Sequence, residues 1–289
     1  MKVFSSLYDF FHWRESLSKS LSIGFVPTMG ALHDGHLSLV SGSLSDCNLT
    51  VVSIFVNPDQ FSENEDFDTY PRTLSDDLNR LKQLGVDVVF TPGIKDIYNK
   101  RVDSFSLNDP FAETLEGAAR PHFFPGVINV VSRLFNIVNP DFAYFGEKDA
   151  QQLLLIERLV SSAGLSIKIV RGKTVREKNG LAMSSRNQYL SATAKRAASC
   201  LYRSLLLAKK LLLDGVVDSN IIKNEMSKII EGEDTVVVDY ISMVSLDSLR
   251  EVNGRVLESV LISVAVVLEG VRLIDNLFYD SMSRPMSTL

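Results

Sequence analysis

Hydrophobic and polar positions along the chain alternate as strands followed by helices. Residues 23–26 form a short apolar run that reads as a buried strand, and Pro27, with no N–H for a ladder, is expected to end it. From residue 37 onward Leu37, Leu39, Val40 and Leu44 line the inner side of a helix. Residues 49–56 are a continuous, β-branched run suited to a parallel strand covered on both faces. A helix with Leu74, Leu78, Leu81 and Leu84 inward follows, with Asp76 and Asp77 as a charge pair in its first turn and Gly85 as its cap. Residues 86–90 are the next strand, and 91–125, with several Gly and Pro, read as loops. Residues 127–138 have helical spacing, Asn139-Pro140 stops them, and 142–145 form another strand. A helix over 150–163 buries Leu153, Leu154, Ile156 and Leu159, Gly164 caps it, and 167–170 are one more strand.

Past residue 174 the pattern changes to long helices, 192–213 and 219–231, with two strands, 236–244 and 256–268. The expected fold is therefore α/β: a Rossmann-like, doubly wound parallel sheet over residues 1–174 with a smaller C-terminal α+β domain over 175–289. The first 20 residues place His, Arg, Glu and Lys among their apolar positions, which suits an amphipathic helix rather than a signal peptide. The apolar run 256–268 contains Glu258 and is too short to span a bilayer.

Composition narrows the function. With 289 residues, 45% hydrophobic and 22% charged, the chain is an ordinary globular one with room for two cores. A net charge of −5 argues against a nucleic-acid or membrane partner, so any phosphate site must be built from local charge and dipoles. Cys47 and Cys200 have no CxxC pairing and read as reduced thiols of a cytoplasmic protein.

Candidate chemistry collects where predicted strands end, the edge at which open α/β sheets bind ligands. The first strand runs through Thr28-Met29-Gly30-Ala31-Leu32 into His33-Asp34-Gly35-His36, where a helix begins. Free backbone N–H groups and the helix dipole there favour an anion, and two imidazoles add donors to it. The same pair also fits a metal site or plain polar residues. Gly146-Glu147-Lys148-Asp149 offers a lysine suited to a phosphate oxygen. Its two carboxylates suit steering that lysine, a ribose hydroxyl or a water-held Mg²⁺. Met183-Ser184-Ser185-Arg186 adds two hydroxyls and a guanidinium, and Asn57-Pro58-Asp59-Gln60-Phe61 is a further polar strand-end loop. Gly172-Lys173-Thr174 looks like a P-loop end, but that motif's first glycine would fall on Ile167, so it reads as a basic surface turn.

In order, PTMGALHDGHLSLV, SIFVNPDQF, YPRT, FGEKDAQQ, the TVRE and GLAMSSRN segments and the late RLIDN resemble the pantothenate synthetase (pantoate–β-alanine ligase) family. That family belongs to the HxGH nucleotidyltransferase superfamily. The likeness covers about residues 23–189 and resumes at 272–276. It implies an AMP-forming ligase in coenzyme A precursor biosynthesis: ATP and pantoate give pantoyl adenylate and pyrophosphate, and β-alanine then displaces AMP to give pantothenate. Matched position by position, it implies an ATP site of Met29, Gly30, Ala31, Leu32, His33, Asp34, Gly35, His36, Gly146, Glu147, Lys148, Asp149, Val175, Met183, Ser184, Ser185 and Arg186. His36, His33 and Lys148 would be catalytic, with His36 in the place of the family's customary proton donor. Electrostatic stabilisation is the larger role expected of it, because Mg²⁺-chelated pyrophosphate leaves without a proton. Gln60, Gln152, Asn57, Tyr70 and Arg120 would hold pantoate and β-alanine. ATP is a substrate accompanied by Mg²⁺, and the protein is expected to be a homodimer.

Two departures stand out. Where the family has Arg-Pro-x-His-Phe-x-Gly-Val, Phe123 occupies the histidine position and His122 comes one residue early; before Thr174, Arg171-Gly172-Lys173 replaces Gly-Val-Pro. Two rival readings are an adenylyl-transfer enzyme with a phosphorylated acceptor and an inactive nucleotide-binding regulator. The neutral amides of Gln60 and Gln152 disfavour the first, and intact His33, His36, Lys148 and Arg186 disfavour the second.

Overall fold

Apolar runs become parallel strands, and the leucine-spaced stretches become the helices that cover them. The computed structural model describes residues 1–62 and 65–283. The chain divides into one unit of Met1–Glu147 with Gln151–Lys173 and a second of Lys148–Ala150 with the chain from Thr174 onward.

The first unit runs β1 (Lys2–Phe4), α1 (Leu7–Glu15), β2 (Ile23–Thr28), α2 (Asp34–Asp46), β3 (Leu49–Ile54), α3 (Leu74–Leu84), β4 (Val88–Phe90), α4 (Ile94–Ile97), α5 (Glu116–Ala119), α6 (Phe123–Val138), β5 (Phe142–Gly146), α7 (Ala150–Ser162) and β6 (Lys168–Gly172). All six strands are parallel, in the order β1-β4-β3-β2-β5-β6. The chain winds outward from β2 to β4, then returns beside β2 as β5, so the order reverses between β2 and β5. That switch point is where a doubly wound sheet opens a crevice for ligands. On one face Val40 of α2 and Leu81 of α3 pack on Val26, Val52 and Val89. On the other, Phe10 of α1 lies 4.5 Å from Phe90, and Phe135 of α6 lies 6.5 Å from Phe25, ring centre to ring centre.

Several elements differ from expectation. β2 continues through Pro27 to Thr28, because β5 pairs with it only at Gly24 and Phe25, so no ladder partner on that side needs the missing N–H. β1 is a three-residue edge strand, too short for a period to show. The stretch 91–125 contains α4 and α5, and α6 begins at Phe123. In α3, Leu78 and Leu81 face the core while Leu74 and Leu84 lie exposed at its ends. Gly172 ends β6 and no helix follows at once, as a surface turn rather than a P-loop requires.

The second unit packs α8 (Ala192–Ala197), α9 (Cys200–Leu213) and α10 (Ser219–Glu231) against an antiparallel sheet, β7 (Val236–Ser245), β8 (Val260–Leu268) and β9 (Val271–Tyr279), in that order. Val260, Ile262, Val264 and Val266 of β8 meet Leu201, Leu205 and Leu212 of α9 and Ile222, Met226 and Ile230 of α10. The single helix expected over 192–213 is two, with a break at Ala198 and Ser199, where the Ser199 hydroxyl donates to the Arg196 carbonyl at 2.7 Å. β9 is a third strand, turned back from β8 by Glu269 and Gly270, both at positive φ as a tight hairpin requires. Among the described residues no helix is long and apolar enough to cross a membrane.

Candidate active site

The turn from β2 into α2 is held by its own side chains. His33 is the N-cap of α2, and its Nδ1 accepts the Gly35 N–H at 3.2 Å, while the His36 Nδ1 accepts the His33 N–H at 3.4 Å. With Nδ1 an acceptor in both rings, each neutral imidazole carries its proton on Nε2. The two rings lie 4.1 Å apart, centre to centre. Upstream, Gly30 (φ +81°) and Ala31 (φ +49°) are left-handed, a conformation that strains Ala31. The Asp77 carboxylate of α3 holds them there, accepting the Ala31 N–H at 2.9 Å, the Leu32 N–H at 2.8 Å and the Thr73 hydroxyl at 3.2 Å. The Thr28 hydroxyl takes the Gly30 N–H at 3.2 Å.

This narrows the expectation of free N–H groups here. Those of Gly30, Ala31, Leu32, His33 and Gly35 already have side-chain acceptors, which leaves fewer backbone donors for an anion than a bare helix start offers. Asp77 is nearly fully buried, the part of this site that its reading as a first-turn charge had not recognised.

Loop 57–61 sits at the end of β3. Asn57 is buried and its side chain wholly engaged: Nδ2 donates to Gln60 Oε1 and to the Gly126 carbonyl, both at 3.2 Å, and Oδ1 accepts the Asp59 N–H and the Tyr98 hydroxyl. Gln60 is buried, with Nε2 donating to Met29 Sδ at 3.0 Å, so the structure joins these two expected site residues. The loop lies against α6, where a Cβ on Gly126 would come within 2.3 Å of the Asp59 carbonyl oxygen. Arg120 is clamped by Glu65 (Nε to Oε1 2.7 Å, Nη2 to Oε2 2.5 Å) and donates to the Gln60 carbonyl at 3.1 Å. Burial alone would raise the Glu65 pKa, but the bonds and charge of Arg120 outweigh it and hold the carboxyl below its usual range. Phe123 lies under that guanidinium, 4.1 Å from its ring centre, and His122 Nε2 is 3.6 Å from Glu65 Oε1. Tyr70 is buried against Phe61.

β5 ends at Gly146, with Glu147 next in the chain. On α7, Gln152 is half-buried, whereas Gln151 is buried and ties down the Glu116 N–H and the carbonyls of Phe111 and Thr114. Arg171, the first of the three departing residues, pairs with Glu157 through two bonds of 2.7 Å on the outside of this unit.

In the second unit, Lys148 is half-buried with Nζ 3.2 Å from Asp149, which is exposed. Its carbonyl accepts the Asn276 side-chain N–H at 2.7 Å. The loop bearing Met183-Ser184-Ser185-Arg186 is joined to Val175 by the Met183 N–H (2.9 Å to its carbonyl), and the Ser184 hydroxyl caps the turn that follows at Arg186. Asn187 braces the loop from within, donating to Glu177 and to the Ala182 carbonyl. Arg176 fixes its base: the guanidinium pairs with buried Asp275 (2.6 and 3.0 Å), donates to the Gly180 carbonyl and stacks 3.8 Å from the Tyr202 ring centre. Adjacent residues of β9, Asp275 and Asn276, thus hold both of these loops. Their presence in RLIDN was a signal for this, because acids buried in an apolar strand need a partner.

Among the described residues no three His, Cys, Asp or Glu side chains converge on a point that would hold a metal ion.

A family model described as pantoate-beta-alanine ligase matches residues 2–278. The pantothenate synthetase of Thermosipho africanus (strain TCF52B) is 46% identical over 264 residues, 91% of this chain and 94% of its own. That of Staphylococcus epidermidis (strain ATCC 12228 / FDA PCI 1200) is 46% identical over 259 residues, 89% of each chain. The crystal structure of pantothenate synthetase from Thermus thermophilus superposes with a TM-score of 0.89 at 37% identity, covering 99% of this chain and 100% of that one. That of the pantoate-beta-alanine ligase of Francisella tularensis, complexed with beta-gamma ATP and beta-alanine, gives 0.77 at 36% identity, covering 96% and 97%.

Proposed function

The chain belongs to the pantoate–β-alanine ligase family, and from that premise we propose how its residues join pantoate to β-alanine at the expense of ATP. The ATP phosphates lie on the turn Met29–His36, where the Nε2–H groups of His33 and His36 donate to them. The pantoate carboxylate attacks the α-phosphorus, and pyrophosphate departs. Negative charge then grows on the α-phosphate and on pyrophosphate, and the two imidazoles, Lys148 and Arg186 stabilise it. His36 acts electrostatically, its orientation set by the bond that its Nδ1 accepts. Glu147, Asp149, Val175, Met183, Ser184 and Ser185 complete the nucleotide site. Gln60 and Gln152 hold pantoate, and Tyr70 and Arg120 shape the acid's pocket, Arg120 through the Gln60 carbonyl. β-Alanine, as the free amine, attacks the activated carbonyl beside Gln60 and expels AMP.

Mg²⁺ arrives with ATP as part of the substrate, its charge balanced by the phosphates. Residues 175–289 act as a lid domain that keeps the adenylate from water. The enzyme works as a cytoplasmic homodimer. The observation that carries this reading is the internally capped turn at the end of β2, where Nδ1 of His33 and of His36 accepts a backbone N–H beside the sheet's switch point. The test is to measure AMP and pyrophosphate with pantoate and β-alanine omitted in turn. AMP release is expected to need both acids, and pyrophosphate–ATP exchange to need pantoate alone. Exchange that proceeds without pantoate, or that requires β-alanine, contradicts the reading.

A further inference from the structure

Four side chains in the first unit form a chain of hydrogen bonds with one direction. The Tyr98 hydroxyl lies 2.5 Å from Asn57 Oδ1, Asn57 Nδ2 donates to Gln60 Oε1, and Gln60 Nε2 points to Met29 Sδ. The direction is set by the backbone. Asn57 Oδ1 must accept because the Asp59 N–H faces it, and Nδ2 must donate because the Gly126 carbonyl faces it. The Tyr98 hydroxyl lies beside this obligate acceptor and also meets the Asp59 carboxylate, so toward both neighbours it can only donate. Burial and the nearby Asp59 carboxylate raise its pKa, so it remains a donor throughout the working range. Gln60 receives Asn57's proton on Oε1 and is left with its NH₂ group facing Met29. A thioether is a weak acceptor, readily displaced by a carboxylate or hydroxyl oxygen.

We infer that Tyr98 and Asn57 are positioning residues that fix the amide of Gln60 with its NH₂ outward, so that it reads an acceptor oxygen of pantoate. Asn57 acts through Gln60 rather than on the substrate. The inference rests on the reading of Gln60 as a pantoate contact. Tyr98 lies in the loop-rich stretch 91–125, outside every motif that marks the site, and its ring packs under Arg133, 5.4 Å from the guanidinium. Tyr98→Phe keeps that ring and removes only the donor.

The test is steady-state kinetics on Tyr98→Phe, Gln60→Ala and the double variant, with thermal unfolding of each. Tyr98→Phe is expected to raise the pantoate KM about tenfold, the effect of one buried hydrogen bond, with the ATP KM nearly unchanged and the unfolding midpoint lowered by about 2–4 °C. In the Gln60→Ala background the same change is expected to add nothing, because there is no amide left to orient. Asn57→Asp, which replaces the donor facing Gln60 Oε1 by an acceptor, raises the pantoate KM further than Tyr98→Phe. The inference is overturned if Tyr98→Phe leaves the pantoate KM unchanged, or if its effect persists undiminished without Gln60, which marks a merely structural role. If Gln60→Ala itself leaves the pantoate KM unchanged, the placement of pantoate fails first, and the inference with it.

Discussion

Replacing Asp77 by asparagine tests whether a carboxylate on α3 builds the phosphate turn from 45 residues beyond Leu32. In the wild type the buried carboxylate takes two backbone N–H groups, of Ala31 at 2.9 Å and Leu32 at 2.8 Å. Hydrogen bonds to a charged group contribute about 1.5–3 kcal/mol each. An amide in the same place keeps one acceptor and turns an NH₂ group toward the other N–H, so the expected loss is about 2 kcal/mol. At roughly 2–4 °C per kcal/mol for a protein of this size, the unfolding midpoint falls by about 5 °C. Ala31, strained at φ +49°, then loses the bond that holds it, and the ATP KM rises about tenfold as the turn relaxes. Ala31→Gly is expected to act in the opposite direction on stability, because glycine adopts that φ without strain. Calorimetry with ATP-dependent pyrophosphate release reads both quantities. An Asp77→Asn protein with wild-type midpoint and wild-type ATP KM refutes the reasoning.

Three further outcomes follow from the same geometry. Lys148→Ala lowers pantoate-dependent pyrophosphate–ATP exchange about a hundredfold while ATP binding weakens far less, since the charge acts mainly as the transition state forms; exchange near the wild-type rate would remove Lys148 from that role. Asp275→Asn breaks the pair with Arg176 and leaves its half-buried guanidinium without a charge partner, so the second unit loses about 2 kcal/mol and the ATP KM rises; kinetics together with denaturant unfolding check both, and no change in either contradicts the assigned role. Because the folded-state pKa of Glu65 is depressed, its clamp with Arg120 adds stability above the usual carboxylate range and loses it as pH falls through the lowered value. Arg120→Ala should therefore flatten the acid limb of the stability–pH curve, and an unchanged limb would show that the clamp contributes nothing there.

What could be read from residues alone was whatever has a short period. The β-branched run that becomes β3 and the spaced apolar positions of α10 announce themselves within a dozen residues, and so does the cap Gly85, which sits at φ +85°. The two histidines were legible as lying where a strand hands over to a helix. The state of the turn's N–H groups was not, because their acceptor Asp77 resembles any acid in a helix's first turn until the sheet brings α3 beside β2. Strand β9 was hidden for a related reason. Arg272, Asp275 and Asn276 break the alternation that would have marked it, and those polar residues are the ones with work elsewhere: Asp275 on Arg176, Asn276 on the Lys148 carbonyl. Pro27 misled in the other direction, since its cost depends on which neighbour pairs at that register, and β5 does not. Tyr98 had no periodic signal at all, lying just past the short helix α4.

The central claim is attack of the pantoate carboxylate on the α-phosphorus of ATP. Pantoate labelled with ¹⁸O in its carboxylate, turned over with ATP and β-alanine and followed by mass spectrometry, tests it most directly. One labelled oxygen is predicted to appear in AMP, with unlabelled pyrophosphate beside it. Label in inorganic phosphate, with ADP as the nucleotide product, would mean attack at the γ-phosphorus and would contradict the account.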